Sequence, residues 1–321
     1  IPEYTKRPLK VYPATSTGRR LAFARWITDS KNPLTARVAV NHLWLRHFGA
    51  ALVPSVFDFG QAGRPPSHPA LLDWLAAELV QPSVGQASQS EVQPWSMKHI
   101  HRLIVTSSTY RQASTQDVSS ISIDPDNRFY WRMNSRRLEA ELVRDNVLWV
   151  AGQLDQSLGG PDIDHNLGLT VNRRSLYFRH AAEKQMEFLK IFDGAGVNEC
   201  YERKESVVPQ QALALANSEL VLVQSRVLAR SLASQAGSDP KAFVSAAFAR
   251  VLARPGTPEE LETATRFLVD QTQLFATNAQ KITIATTNLV DGSKPAADPA
   301  LRARENLVHA LMNHNDFVTV R

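Results

Sequence analysis

The chain has 321 residues, 43% of them hydrophobic and 21% charged, which is enough apolar material for a large core and excludes a disordered polymer. No apolar run reaches the roughly 18 residues a membrane span needs. The formal charge is +5, but 21 Lys and Arg face 15 Asp and Glu in residues 1–180, and 15 face 16 thereafter. The basic excess is therefore confined to the first part, and it is mostly arginine. Arginine suits bidentate pairing with carboxylate, sulfate or phosphate. No zinc finger, helix-turn-helix or dense basic tract accompanies it, so nucleic acid is not expected as a partner. The sequence opens Ile-Pro-Glu-Tyr without an initiator Met or a leader peptide, and reads as a fragment of a longer protein.

Gly18-Arg19-Arg20 leads into an amphipathic run from Leu21 to Asp29, and Asn32-Pro33 opens a helix from Leu34 to Phe48 stopped by Gly49. Leu34, Val38, Leu45 and Phe48 form its apolar stripe, with Asn41 inside the stripe and Arg37 beside it. Both are candidate ligand contacts; the plainer reading of a buried Asn is a tie to a neighbouring loop. A Gly- and Pro-rich loop over 49–68 precedes a helix from His68-Pro69 to Val80. Residues 81–94 read as a polar linker or surface insertion. Ser96 caps the next helix, to about Ser107, and Arg111 beyond it is a further candidate anion contact.

A long helix is expected from Arg136 to Leu154, where Leu138, Leu142 and Trp149 share a stripe with Asp145 in its middle and Glu141 one turn earlier. Two carboxylates at i and i+4 on a partly buried face are costly unless paired. They are a candidate general acid/base pair, a metal site, a grip on a polar ligand, or members of a buried salt-bridge network with Arg37, Arg136 or Arg137. Ser175–Arg179 is the best strand candidate. With Arg173 and Arg174 before it, it would offer a basic edge in which Arg179 is a candidate ligand contact, and the adjacent His180 a candidate general base, a haem or metal ligand, or a structural histidine.

A helix is expected from Glu183 to Phe192. Cys200, in an acidic stretch, reads as an unreactive thiol. Ser206 lacks a nucleophile elbow and reads as a cap or turn residue. Pro209 starts a helix whose Gln210 and Gln211, with Arg137, are candidate anion contacts. Ser218 re-caps the chain before Glu219–Ser234. Asp239-Pro240 and Thr257-Pro258-Glu259-Glu260 are helix starts, and a last helix covers about Leu301–Asn313. Histidine spacing supports no metal site: His42 and His47 lie roughly 140° apart on one helix. The class is all-α, an irregular assembly of about ten helices with at most a short strand or hairpin near 171–179. A main helical part with a basic face is expected over 13–235, with a C-terminal helical lobe over 238–321 packed on it, the two forming one continuous domain.

Gly18-Arg19-Arg20-Leu21-Ala22, Asn32-Pro33-Leu34-Thr35-Ala36-Arg37-Val38, Asn41-His42-Leu43-Trp44 and Asp58-Phe59-Gly60 come in that order. His68-Pro69-Ala70-Leu71-Leu72-Asp73-Trp74, Asp124-Pro125-Asp126-Asn127-Arg128, Arg136-Arg137-Leu138-Glu139-Ala140-Glu141 and Val208-Pro209-Gln210-Gln211-Ala212-Leu213 follow. Together these resemble the C-terminal planctomycete-specific domain of unknown function, over nearly the whole chain from residue 13. The resemblance implies an extracytoplasmic location at the end of a large protein with upstream cytochrome c domains. It implies no cofactor in this chain, the haem belonging to those upstream parts, and it supplies no catalytic residues. Three functions follow as expectations. One is a binding or assembly module contacting the upstream domains, or holding an anionic polysaccharide. Another is a hydrolase or lyase using Glu141, Asp145 and His180. The last is a redox partner touching haem through His180 or Met186.

Overall fold

A computed structural model describes residues 18–83, 92–198, 203, 206–277 and 294–320. Cys200 and most of the 81–94 linker lie outside the described residues. Twelve α-helices and one two-stranded antiparallel sheet are present among them, in agreement with the all-α reading. The chain divides into two compact units, one up to Asn134 and one from Ser135 to Val320. Among the described residues no single helix is long and apolar enough to cross a membrane.

The N-terminal unit holds α1 (Arg19–Ile27), α2 (Thr35–Phe48), α3 (Pro69–Val80), α4 (Met97–Thr106) and α5 (Val118–Ile123). Helix α2 packs on α3 and α4 around Val40, Trp44, Phe48, Leu75, Leu79 and Ile100, all buried. The Trp44 indole stacks on Phe48 at 4.1 Å, and its N–H donates to the Tyr130 hydroxyl at 2.8 Å, so a core tryptophan keeps its polar atom satisfied. Ser96 caps α4 as expected, accepting from the His99 N–H. Among the described residues helix α1 has none fully buried, and Trp26 and Ile27 at its C-terminal end are half-buried.

The C-terminal unit holds β1 (Arg136–Arg137), α6 (Ala140–Val150), α7 (Glu187–Ile191), α8 (Pro209–Asn217) and α9 (Glu219–Ala236). It continues with α10 (Pro240–Leu252), α11 (Pro258–Thr277), α12 (Pro299–Met312) and β2 (Thr319–Val320). Helices α9, α10, α11 and α12 pack together around Phe243, Val244, Ala247, Ala303 and Val308, and α6 lies against α7 and α9. Helices α9 and α10, on either side of Gly237, thus share one unit. Ser218 caps α9 and Asp239 caps α10 with side-chain bonds to the first turn, as the sequence implies.

Three local expectations are corrected. The helix expected over 136–154 is shorter, because Arg136 and Arg137 pair with Val320 and Thr319 and the Leu138 N–H donates to Val318 O at 2.8 Å. Its donors are taken by the sheet, and the helix begins only at Ala140. The strand expected at Ser175–Arg179 is instead a 3-10 turn over Ser175–Tyr177, flanked by single bridges from Arg173 to Asp155 and from Phe178 to Ile163. The helix expected from Glu183 starts at Glu187, since Ala181 and Lys184 close a tight turn with reciprocal backbone bonds of 3.0 Å.

Candidate functional site

The face of α6 that turns inward is not the expected one. Val143, Val147, Leu148 and Val150 are buried, while Leu142 is 43% and Trp149 52% exposed. Val143, Val147 and Val150 (i, i+4, i+7) follow the same helical period as Leu138, Leu142 and Trp149 (i, i+4, i+11), and the partners in the fold decide between the two. The inward face also carries Arg144, whose side chain is completely buried.

Arg144 shows why a buried charge is tolerated here. Its guanidinium donates to the carbonyls of Gly168 at 2.7 Å, Arg173 at 2.8 Å and Val171 at 2.5 Å, and it covers the Phe178 ring. Desolvation pulls its pKa down from the ordinary arginine range to about 10, and the adjacent Asp145 carboxylate pushes the other way. Four groups converge on Asp145. Its Oδ1 accepts the Ser175 N–H at 2.8 Å, the Ser175 hydroxyl at 2.6 Å and Arg144 at 3.4 Å; Arg174 Nε approaches Oδ2 at 3.5 Å. This arrangement fixes the 171–178 segment onto α6. It also withdraws the Ser175 N–H from any ladder, which accounts for the absent strand.

Glu141 is engaged elsewhere. Both of its oxygens accept from Arg203, at 3.2 and 3.0 Å, and Arg203 also approaches Glu139 at 3.7 Å. The arginines that pair the two carboxylates are therefore Arg203, Arg144 and Arg174, and not Arg37, Arg136 or Arg137. Close by, two of the sequence motifs meet: Arg137 donates to Gln211 Oε1 at 2.5 Å and to Ser206 O at 2.9 Å. The Gln211 amide donates to Ile191 O and to Asp193, and Ser206 gives both its N–H and its hydroxyl to the Asp193 carboxylate at 2.8 Å. The anion that faces Gln211 is thus a carboxylate of the chain itself, while Gln210 is exposed.

The remaining candidates are dispersed. Arg37 donates to Asp73 at 2.6 Å and to Pro33 O, and Asn41, fully buried, bonds both the N–H and the carbonyl of Val53, at 2.8 and 3.1 Å. Both belong to the N-terminal unit, as does the exposed Arg111, which reaches back to Ser107 O. Arg179 pairs with Asp162, which lowers the Asp162 pKa and raises that of Arg179, and His180 next to it is exposed. Met186 is buried, with Gly168 held so close that a Cβ there would meet its sulfur.

What the sequence missed is where the outward stripe of α6 leads. Leu138, Leu142 and Trp149 face an open groove of about 540 Å³ in the C-terminal unit, bordered also by Asp145, Gln156, Arg174 and Val320. Most polar groups around it are committed: Asn146 donates to Phe317 O, Arg250 to the carbonyls of Trp149 and Val150, and Asp316 accepts from Arg254. The Arg174 side chain is 41% exposed, and among the described residues its guanidinium is held by the 3.5 Å contact to Asp145. The groove therefore combines a half-exposed indole with a partly exposed cation. The signal was present in the stripe itself, which can be read as a surface for a partner as well as for a core. Among the described residues, no cluster of three or more His, Cys, Asp or Glu is arranged to hold a metal ion.

No curated protein and no solved structure matches the chain significantly. The family profile of PSD1, a protein of unknown function (DUF1553), matches residues 19–268, well over half of the sequence, and the chain belongs to that family.

Proposed function

We propose that this chain is a binding and assembly module of a larger extracytoplasmic, cytochrome-bearing surface protein, and that the groove along α6 takes an acidic polysaccharide. The observation that carries the reading is the half-exposed Trp149 indole in the same groove as the partly exposed Arg174 side chain. A flat indole face packs against the apolar face of a sugar ring, and a planar guanidinium matches a uronate carboxylate or a sulfate. Gln156, exposed at the border, adds a donor and an acceptor for ring hydroxyls. Binding is favoured over hydrolysis because Asp145 is saturated by Ser175 and its arginines, and Glu141 is held by Arg203. Neither carboxylate is left to move a proton to a ligand.

Titration calorimetry with polygalacturonate, a sulfated glycan and neutral dextran tests this. Binding to the two acidic polymers alone is expected, weakening as salt is raised. Trp149→Ala and Arg174→Ala each abolish it while the far-UV circular dichroism of the folded chain is retained. No binding to either acidic polymer, or binding untouched by both substitutions, overturns the reading.

A further inference from the structure

Arg250, on α10, borders the same groove and closes the end of α6. Its Nε donates to Val150 O at 2.8 Å and its Nη2 to Trp149 O at 3.2 Å. Both carbonyls belong to the last turn of α6, where backbone oxygens lack intrahelical donors and a cation is favourable. The two bonds hold the piece of backbone that carries the Trp149 indole. They use two of the five N–H donors of a guanidinium, and they engage no carboxylate. The end of a helix offsets only about half an elementary charge. Arg250 is exposed, so the rest of its charge faces solvent.

Asp145 and Asp316 border the groove as well, but their side chains are only 9% and 5% exposed, and Arg144 and Arg254 pair with them. Arg174 is partly exposed and Arg250 exposed. The charge that the groove offers a ligand is therefore carried by two cations. Arg174 is anchored at Asp145 and Arg250 at the Trp149 carbonyl, one helical turn on, about 6 Å along the axis of α6. An isolated acid group on a ligand leaves one of the two cations unmatched, whereas acid groups on neighbouring sugar rings can meet both. We infer that Arg250 is a second anion contact, and that the groove takes a glycan with acid groups on adjacent residues. This rests on the groove being a glycan site, and adds the pattern of charge that the glycan carries. Arg250 thereby has two parts to play: its bonds to α6 position Trp149, and its remaining donors meet the ligand.

Titration calorimetry on the whole chain compares polygalacturonate with a heavily methyl-esterified form in which the remaining acidic residues are isolated, per mole of free carboxylate. The unesterified polymer is expected to bind about tenfold more tightly, the scale of one charge-assisted hydrogen bond. Arg250→Gln keeps an amide donor for the carbonyls but no charge; it is expected to remove that preference and to make binding less sensitive to salt. Arg250→Lys keeps the charge and is expected to retain most of both. Arg266→Gln, at an exposed arginine on α11 outside the groove, is expected to change neither. Circular dichroism at the titration temperature establishes that each variant is folded, and the parent's own preference decides the pattern of charge even where a variant is not. Equal binding of the two polymers by the parent, a preference untouched by Arg250→Gln, its equal loss in Arg250→Lys, or its equal loss in Arg266→Gln overturns the inference and leaves the groove a glycan site. No binding of polygalacturonate or the sulfated glycan by the parent removes both readings.

Discussion

Asp145 and Ser175 are joined twice through one oxygen: Asp145 Oδ1 accepts the Ser175 backbone N–H at 2.8 Å and its hydroxyl at 2.6 Å. The carboxylate is buried, and it lies against the buried Arg144. Its removal leaves the buried Ser175 N–H and hydroxyl without their acceptor and the buried Arg144 without its counter-charge. Breaking such a pair from one side costs on the order of 3–5 kcal/mol. Asp145→Ala is therefore expected to lower the urea midpoint sharply. Asp145→Asn, which keeps an acceptor oxygen, is expected to lose clearly less. An Asp145→Ala protein as stable as the parent, measured by urea denaturation, would contradict the structural role assigned to the carboxylate.

Arg144 is the counterpart. Three carbonyls of the 168–173 segment converge on one planar guanidinium, and lysine cannot reproduce that fork from a single ammonium. Arg144→Lys is expected to be nearly as damaging as Arg144→Met, each by about 3 kcal/mol or more. Hydrogen exchange discriminates further: the amides of 171–178 are expected to lose protection well before those of α9 and α12. Uniform loss across the unit would show that the segment is not held by Arg144 in particular.

Local signals were legible and tertiary choices were not. The caps at Ser96, Ser218 and Asp239 were readable because a side chain and an N–H two or three residues away settle them. The inward face of α6 was not, because Leu138-Leu142-Trp149 and Val143-Val147-Val150 satisfy the same period, and only the partners around them choose. One clue went unused: Arg144 is flanked by Ala140, Val147, Leu148 and Ala151 at i−4, i+3, i+4 and i+7, all apolar and all buried. A cation in that setting must find several acceptors, and they lie some 25 residues away. The same long-range bonds turned an apparent strand at 175–179 into a 3-10 turn. Twelve α-helices among the described residues, against about ten expected, reflect chain-local information; the grouping of Glu141, Asp145 and His180 into one site did not follow from it.

Asn41 ties helix α2 to the loop after it, with its amide donating to Val53 O and its carbonyl accepting from Val53 N–H. Both bonds are buried, so Asn41→Asp replaces a donor with an acceptor facing another acceptor and buries a charge. Its expected cost is about 2–4 kcal/mol, exceeding that of Asn41→Ser. Separate probes for each unit, Trp44 fluorescence for the N-terminal one, are expected to place the loss there. A thermal scan in which Asn41→Asp leaves the Trp44 environment unchanged would refute it.

Thr257 and Glu260 form a reciprocal cap at the start of α11: the Thr257 N–H donates to the Glu260 carboxylate at 2.8 Å, and the Glu260 N–H to the Thr257 hydroxyl at 3.3 Å. Arg254 bonds both Glu260 oxygens at 2.8 Å, and reaches Asp316 at the same distance. These bonds favour the ionised carboxyl and bring the Glu260 pKa down from 4.5 to about 2, with Arg254 the largest cause. In the unfolded chain the carboxyl takes up its proton near 4.5, before the folded form does. The stabilisation is therefore complete above about pH 4.5 and is lost as pH falls through that value towards 2. Glu260→Gln is expected to lower the thermal midpoint at pH 7 and to flatten its decline across that acid window. Parallel acid profiles for the parent and Glu260→Gln, followed by circular dichroism between pH 7 and pH 2, would show that this carboxylate does not link α11 to acid stability.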